Sequence, residues 1–346
     1  MTGLATPPHN GDLMTALPVQ SPASAERERQ LLLRLIQGPV SGDLLAQETG
    51  LTRTAIWKRV QALREAGVAI AGSAGQGYAL EAPLELLDAQ ALRAALPPQV
   101  DALVEQLDVA WSVDSTNSEL LRRPGPDRGC AVLLAERQTG GRGRRGRSWA
   151  SPLAAHVYLS VARRYGGGLA RLGGLSLVAG VAVAEALRAL GLAQVGLKWP
   201  NDLVVDGRKL GGLLVEGGGE AGGPVRAVIG IGLNVRMPPA QAQAIDQPWI
   251  DLAGVLPQPP TRQQVVAEVL GRLLPALALF DAQGLEPFLP RYAALDALRG
   301  RAIVVKLDEG DVSGTAEGIA QDGALRVGTA QGLRVFHAGD VSVRAA

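Results

Sequence analysis

The ten residues GGRGRRGRSW, Gly140 to Trp149, set four arginines and four glycines beside one tryptophan. Arg142, Arg144, Arg145 and Arg147 offer planar, permanently charged forks that match carboxylate and phosphate oxygens. Gly140, Gly141, Gly143 and Gly146 let the backbone approach a ligand and present N–H groups to it. Such a stretch suits a solvated basic loop, a nucleic-acid patch or a mobile phosphate clamp. Its setting narrows the choice. It follows the strand-like run AVLLAERQ, occurs once and is bracketed by packed sequence, whereas RGG-type segments repeat within disordered chain. A small polyanion fits better than a duplex. Trp149 adds a flat face on which a planar base could rest, although a tryptophan read alone packs in a core equally well.

A second cluster is KWPNDLVVDGRKLGG, residues 198–212. Lys198 falls in or at the end of a strand, Pro200 with Asn201 and Asp202 turns the chain, Asp206-Gly207 makes a hairpin, and Lys209 opens the next strand. Two lysines and an aspartate are thereby held near one sheet edge. A lone lysine is normally a solvated surface residue, but Trp199 and Pro200 argue against that for Lys198. In VDSTNSELL, residues 113–121, Ser115, Thr116 and Asn117 stand at a helix start, where Ser115 or Thr116 also reads as an ordinary N-cap. IGIGLNV, residues 229–235, is a buried strand with Gly230 and Gly232 where something approaches the backbone, and Asn234 is an isolated amide within it.

These residues need elements to hold them. With 346 residues, 47% of them hydrophobic, the chain is expected to form two or three domains with real cores. A net charge of +1 excludes a globally cationic nucleic-acid coater and leaves room for local basic sites. The single cysteine, Cys130, excludes an intrachain disulfide framework and reads as a packed strand residue. His9, His156 and His337 have no zinc spacing. Residues 1–25 read as a loose tail whose lack of Lys or Arg argues against a leader, and the apolar run 172–184 is shorter than the ~20 residues of a membrane span. A soluble, cytoplasmic protein without membrane partners is expected.

Residues 26–82 read as a winged helix-turn-helix: three short helices, with Ser41 and Thr52 as N-caps and stops at Gly50 and Gly67, followed by a hairpin. The third helix would present Thr52, Arg53, Thr54, Lys58 and Arg59 to a DNA major groove. The alternative is a helical domain whose charged face meets water, and Gln76 gives the wing tip no cation for backbone contact. A linker is expected at 83–104. Residues 105–297 alternate strands with helices near 170–190 and 261–281, a mixed α/β domain. Residues 298–346 carry four short strands with Gly-rich turns, consistent with a small β-barrel.

In this order, DSTN, AERQTGGRGRRGRSW, KWPNDL, KLGGLLVE and IGIGLNV closely resemble the bacterial biotin protein ligases. The preceding winged helix resembles the subclass that doubles as biotin operon repressor, and the likeness covers about residues 27–346. It implies an N-terminal winged helix-turn-helix, a central α/β domain with the mixed sheet of class II synthetases and lipoate ligases, and an SH3-like C-terminal β-barrel. It also implies two-step chemistry: biotin and MgATP give biotinyl-5′-AMP, and the biotinyl group then passes to a lysine of the biotin carboxyl carrier protein of acetyl-CoA carboxylase and similar carboxylases. Operator DNA and a second copy in a homodimer are the further implied partners. By motif matching, Lys198 and Arg144 are catalytic. Ser115, Thr116, Asn117, Gln138, Gly141, Arg142, Gly143, Arg144, Lys198 and Gly232 bind biotin, and Arg147, Trp149, Lys209 and Asn234 meet the nucleotide. Asp202 either holds Mg²⁺ or stabilises its turn. The arginine loop would then be a lid, ordered by the adenylate. The N-terminal tail, the RRYGGG insert (163–168) and Ser148 depart from the family pattern. A DNA-binding biotin or lipoate sensor without catalysis is the rival reading, and a lipoate ligase would lack this lid.

Overall fold

A computed structural model describes residues 22–73, 77–166, 168–219, 225–243, 245–308, 310–338 and 342–345. Most of the expected tail, and Gln76 at the wing tip, lie outside the described residues.

The first unit packs three helices, α1 (Pro22–Ile36), α2 (Gly42–Thr49) and α3 (Arg53–Glu65), against a hairpin of β1 (Ile70–Ser73) and β2 (Gly77–Leu80). The expected punctuation is realised. Ser41 Oγ accepts from Leu44 N at 3.1 Å, Thr52 Oγ1 accepts from Ala55 N at 3.2 Å, and Gly50 adopts φ 65°, a left-handed stop. Leu32, Leu45, Ile56, Val60 and Leu63 fill the core between them. Two residues from far along the chain, Leu153 and Ala154, complete that core. Leu153 N donates to Ala66 O at 2.8 Å, and Trp111 Nε1 donates to the buried Glu28 carboxylate at 2.9 Å. The winged helix is therefore keyed into the central domain.

The central domain is built on a seven-stranded sheet of β3 (Val104–Val113), β4 (Cys130–Gln138), β5 (Val157–Tyr165), β6 (Gly196–Lys198), β7 (Asp202–Val205), β8 (Arg208–Gly219) and β9 (Val225–Leu233), in the order β3-β4-β5-β9-β8-β7-β6. β3 and β4 are parallel and the other neighbours antiparallel. The alternation of strand side chains divides the two faces. Val132 and Leu134 of β4 join the main core beneath the helices Leu175–Ala189 and Arg262–Gln283, whereas Ala131 and Leu133 pack with Leu120 of the helix Thr116–Arg122 on the opposite face. Leu87, Leu92, Leu96 and Val100, from the stretch expected to be a linker, also belong to the main core. Cys130 is fully buried in β4.

The C-terminal unit corrects the expectation of an SH3-like barrel. β10 (Ala302–Lys306), β11 (Val312–Ile319), β12 (Leu325–Thr329), β13 (Gly332–Phe336) and β14 (Ser342–Ala345) form an open five-stranded sheet in the order β13-β12-β11-β10-β14. Among the described residues the two edge strands do not pair with each other, so the sheet is not closed. Its apolar side has another cover. Ile303, Val305, Leu325, Val327, Phe336 and Val343 are continuous with the main core of the central domain, and Trp199 Nε1 donates to Gly323 O at 3.0 Å.

One buried polar cluster fastens the stretch around Glu85 and Leu87 to the central domain. Arg262 and Glu136, 4% and 3% exposed, are ion-paired at 2.8 Å; Glu136 also accepts from Leu87 N at 2.6 Å, and Arg262 donates to the carbonyls of Glu85 and His156. Such a pair is costly to break on one side only, because the remaining charge is left buried. His156 is wholly buried beside it, its Nδ1 accepting from Val235 N at 3.1 Å, and burial pushes its pKa down to about 3. Since the unfolded chain holds this imidazole near its ordinary pKa, it binds the proton first as pH falls, and stability present above pH 6.5 is lost between 6.5 and 3. Between pH 6.5 and 5 this amounts to roughly 1.5 kcal/mol. Denaturant titrations at the two pH values should show that increment in the wild-type chain and its disappearance in His156→Gln; equal pH slopes would refute it.

Candidate functional site

Ser115 caps the helix Thr116–Arg122, its hydroxyl accepting from Ser118 N at 3.4 Å, and the next two residues turn onto the sheet. Thr116 N donates to Gln138 Oε1 at 2.9 Å, and Thr116 Oγ1 lies 3.1 Å from the same oxygen. Ser160 Oγ, on β5, lies 2.7 Å from Thr116 Oγ1 and 2.6 Å from Asn117 Oδ1. Asn117 Nδ2 donates to Leu214 O at 3.1 Å and Glu216 Oε2 at 2.8 Å. Ser115, Thr116, Asn117 and Ser160 are all buried. Three expected residues, Thr116, Asn117 and Gln138, thus share one hydrogen-bonded strip beside the Ser115 cap, completed by Ser160 and Glu216, which the sequence reading did not single out. Their signal was a polar residue inside each of two apolar runs, YLSVA and GLLVEG.

The two glycines of β9 explain themselves here. A Cβ on Gly230 would stand 2.4 Å from Asn117 Oδ1, and one on Gly232 would stand 2.6 Å from Trp149 Cε2. The groups that approach the strand are side chains of this chain, and Gly232 is the seat of the indole. Trp149 Nε1 is buried without a hydrogen-bond partner among the described residues, and Lys209 Nζ lies 5.5 Å from the ring centroid.

Residues 140–149 form a tongue with its own backbone ladder. Gly140 N donates to Asp114 O at 2.8 Å, Trp149 N to Gly141 O at 2.9 Å and Gly143 N to Arg147 O at 2.7 Å, and Arg144–Gly146 make a 3-10 turn at the tip, where Arg145 has φ 58°. Gly141 is tightly enclosed, since a Cβ there would lie 2.7 Å from Ser151 Oγ. Arg142 pairs with Glu216 at 3.2 Å and Arg145 with Asp308 at 3.6 Å. Arg144 reaches Asn201 Oδ1 at 3.5 Å and also donates to Ala338 O in the C-terminal unit.

Lys198 ends β6, mostly withdrawn from water, and among the described residues its amine has no hydrogen bond or ion pair. Burial lowers its pKa from the ordinary lysine value; Asp202 opposes that shift, while Lys209, Arg344 and Arg147 reinforce it. Asp202 is engaged by Lys209 Nζ at 2.8 Å, and no three metal-binding side chains cluster among the described residues. These donors do not fit a resident metal ion. Asn234, buried, donates its amide to Ile250 O at 3.1 Å and Lys209 O at 3.4 Å, fastening the segment after β9 to β8.

On α3, Thr54 and Lys58 are exposed together, with Thr52 at the cap; Arg53 pairs with Asp43 at 2.9 Å. Arg59 turns away and lines a groove beside Arg27, Arg34 and Glu48. Trp57, 44% exposed on the same helix, was not expected.

Comparison with known proteins matches residues 111–234 to the biotin/lipoate A/B protein ligase family, residues 27–79 to an HTH domain and residues 299–344 to the biotin protein ligase C-terminal domain. The bifunctional ligase/repressor BirA of Salmonella typhimurium is 39% identical over 88% of this chain and 93% of that protein, and its namesake in Escherichia coli is 38% identical over the same shares. A solved structure of the Aquifex aeolicus biotin protein ligase in complex with biotin and ATP superposes with a TM-score of 0.60 at 27% identity, covering 70% of this chain and 100% of that one. The chain belongs to the biotin protein ligases and is similar over most of its length to their bifunctional ligase/repressor members.

The glycine seat can be tested. Gly232→Ala should displace Trp149, shifting that residue's emission to the red and raising the KM for ATP about tenfold, a loss of roughly 1.4 kcal/mol, with the fold intact by circular dichroism. Comparison with Trp149→Phe isolates the signal, and unchanged emission would refute the packing argument.

Proposed function

We propose that this chain joins biotin to ATP, transfers the biotinyl group to a carrier-protein lysine, and represses transcription in response to biotin. The observation that carries the ligase reading is a half-buried Lys198 ammonium at the strand edge, without a hydrogen bond or ion pair among the described residues, near an arginine tongue. In the first step a biotin carboxylate oxygen attacks the α-phosphorus of ATP, a P–O bond forms, and the bond to pyrophosphate breaks. Two anions must be brought together, so fixed cations at the reacting centre supply the catalysis. Lys198 neutralises the charge that passes between carboxylate and phosphate. In the second step the carrier lysine attacks the acyl carbon and AMP leaves.

The other assignments follow the same chemistry. Ser115, Thr116, Asn117 and Gln138 present hydroxyls and amides to the ureido group, which has one carbonyl acceptor and two N–H donors. Arg142, Gly143 and Arg144 close over biotin and the adenylate, with Gly141 as the root of that closure. Trp149 meets the adenine, with Arg147 and Lys209 about the phosphates and Gly232 and Asn234 supporting the platform. Asp202 serves by holding Lys209, and any Mg²⁺ accompanying the nucleotide would screen its phosphate charge. The tongue keeps water from the mixed anhydride. Thr52, Thr54 and Lys58 face DNA, with Arg53 available to its backbone and Arg59 set apart in its groove, and a homodimer binds the operator when the adenylate is present. No described helix is long and apolar enough to cross a membrane; on this reading the chain acts in the cytoplasm on carboxylase carrier proteins.

Lys198→Ala should abolish most biotin-dependent pyrophosphate release while melting like the wild type; wild-type release would overturn its assignment. Arg144→Gly should leak biotinyl-5′-AMP, read as promiscuous labelling of lysines on a bystander protein, and labelling at the wild-type level would count against the closing role. The reading as a whole rests on the mass of a carrier domain incubated with the protein, ATP and either biotin or lipoate. A biotinyl increment alone supports it; no increment leaves the sensor reading.

A further inference from the structure

Glu216 has no part in the chemistry above, and its place is unexpected. A carboxylate beside a site for a carboxylate and a triphosphate adds repulsion unless it holds something the site needs. Its two oxygens have different partners. Oε2 accepts from Asn117 Nδ2 at 2.8 Å, and Oε1 pairs with Arg142 at 3.2 Å. Asn117 is itself buried, with its Oδ1 2.6 Å from Ser160 Oγ and its Nδ2 donating to Leu214 O. One end of Glu216 is thus fixed to the pocket wall, and the other reaches the partly exposed first arginine of the tongue, 42% exposed. An ion pair this open contributes little to global stability. Its effect falls on the local equilibrium of the segment it tethers, where a small free energy changes populations several-fold.

We infer, on the ligase reading above, that Glu216 is a positioning residue: it fastens the tongue to the biotin pocket through Arg142 and sets how long the adenylate is retained. The full-length chain is loaded with biotin and ATP, freed of excess ligand, and the release of biotinyl-5′-AMP is timed. In Glu216→Gln the amide oxygen still accepts from Asn117 while the charge on Arg142 loses its partner. Release should accelerate three- to tenfold with the melting temperature unchanged, and should no longer respond to salt as the wild type does. Glu216→Asp, which keeps the charge, should fall between the two. In an Arg142→Gln background, Glu216→Gln should add nothing further. Wild-type release from Glu216→Gln, or a full additional effect in the Arg142→Gln background, would overturn the inference. A wild-type chain that forms no adenylate would instead sink the ligase reading, and this inference with it.

Discussion

The helix Thr116–Arg122 sits on the sheet partly through polar groups, and that contact constrains everything around it. Asn117 and Thr116 are buried where an apolar pair would pack more simply, so each of their donors and acceptors needs a partner of fixed geometry. Gln138, Ser160, the Leu214 carbonyl and Glu216 supply them. Gly230 must lack a side chain for the contact to form at all. Gln138 precedes the tongue by two residues, so the hydrogen bonds that fix this helix on the sheet also orient the root of the tongue.

The distribution of charge follows a related logic. A chain of net charge +1 concentrates arginine and lysine around one site and answers several of those cations with an acid: Lys209 with Asp202, Arg142 with Glu216, Arg145 with Asp308. Lys198 is treated differently. It is desolvated, pushed by neighbouring cations and left without a close anionic partner among the described residues. An anion entering there meets a charge already partly withdrawn from water, which strengthens the interaction beyond its value in bulk solvent.

Much of this was legible in the residue pattern, for local reasons. Caps and stops read correctly at Ser41, Thr52, Gly50 and Ser115 because they depend on hydrogen bonds within a few residues. The hairpin at Asp206 and Gly207, both with positive φ, is of the same kind. The strands of the C-terminal unit were visible as short runs between Gly-rich turns, apart from Ser342–Ala345, but the open edge was not. Whether a sheet curls on itself or lies against a neighbour is decided by distant apolar surface, here the core around Trp199. Gly230 and Gly232 announced close approach without saying of what, since a missing Cβ accommodates a ligand and an indole alike. Ser160 and Glu216 stayed hidden because their partners lie 43 and 99 positions away from them at Asn117.

The segment that leaves the tongue does not stop at Trp149. Four and five positions later Leu153 and Ala154 lie inside the core of the winged helix, and Trp111 holds Glu28 from the neighbouring strand. The reading head is thus no detachable accessory. Removing the first eighty residues would strip the cover from these side chains and bare an apolar scar next to the base of the arginine tongue. A descendant that gave up gene control while keeping its enzyme would have to recolour positions 111, 153 and 154 with polar residues, leaving the lost domain's outline in the surviving sequence.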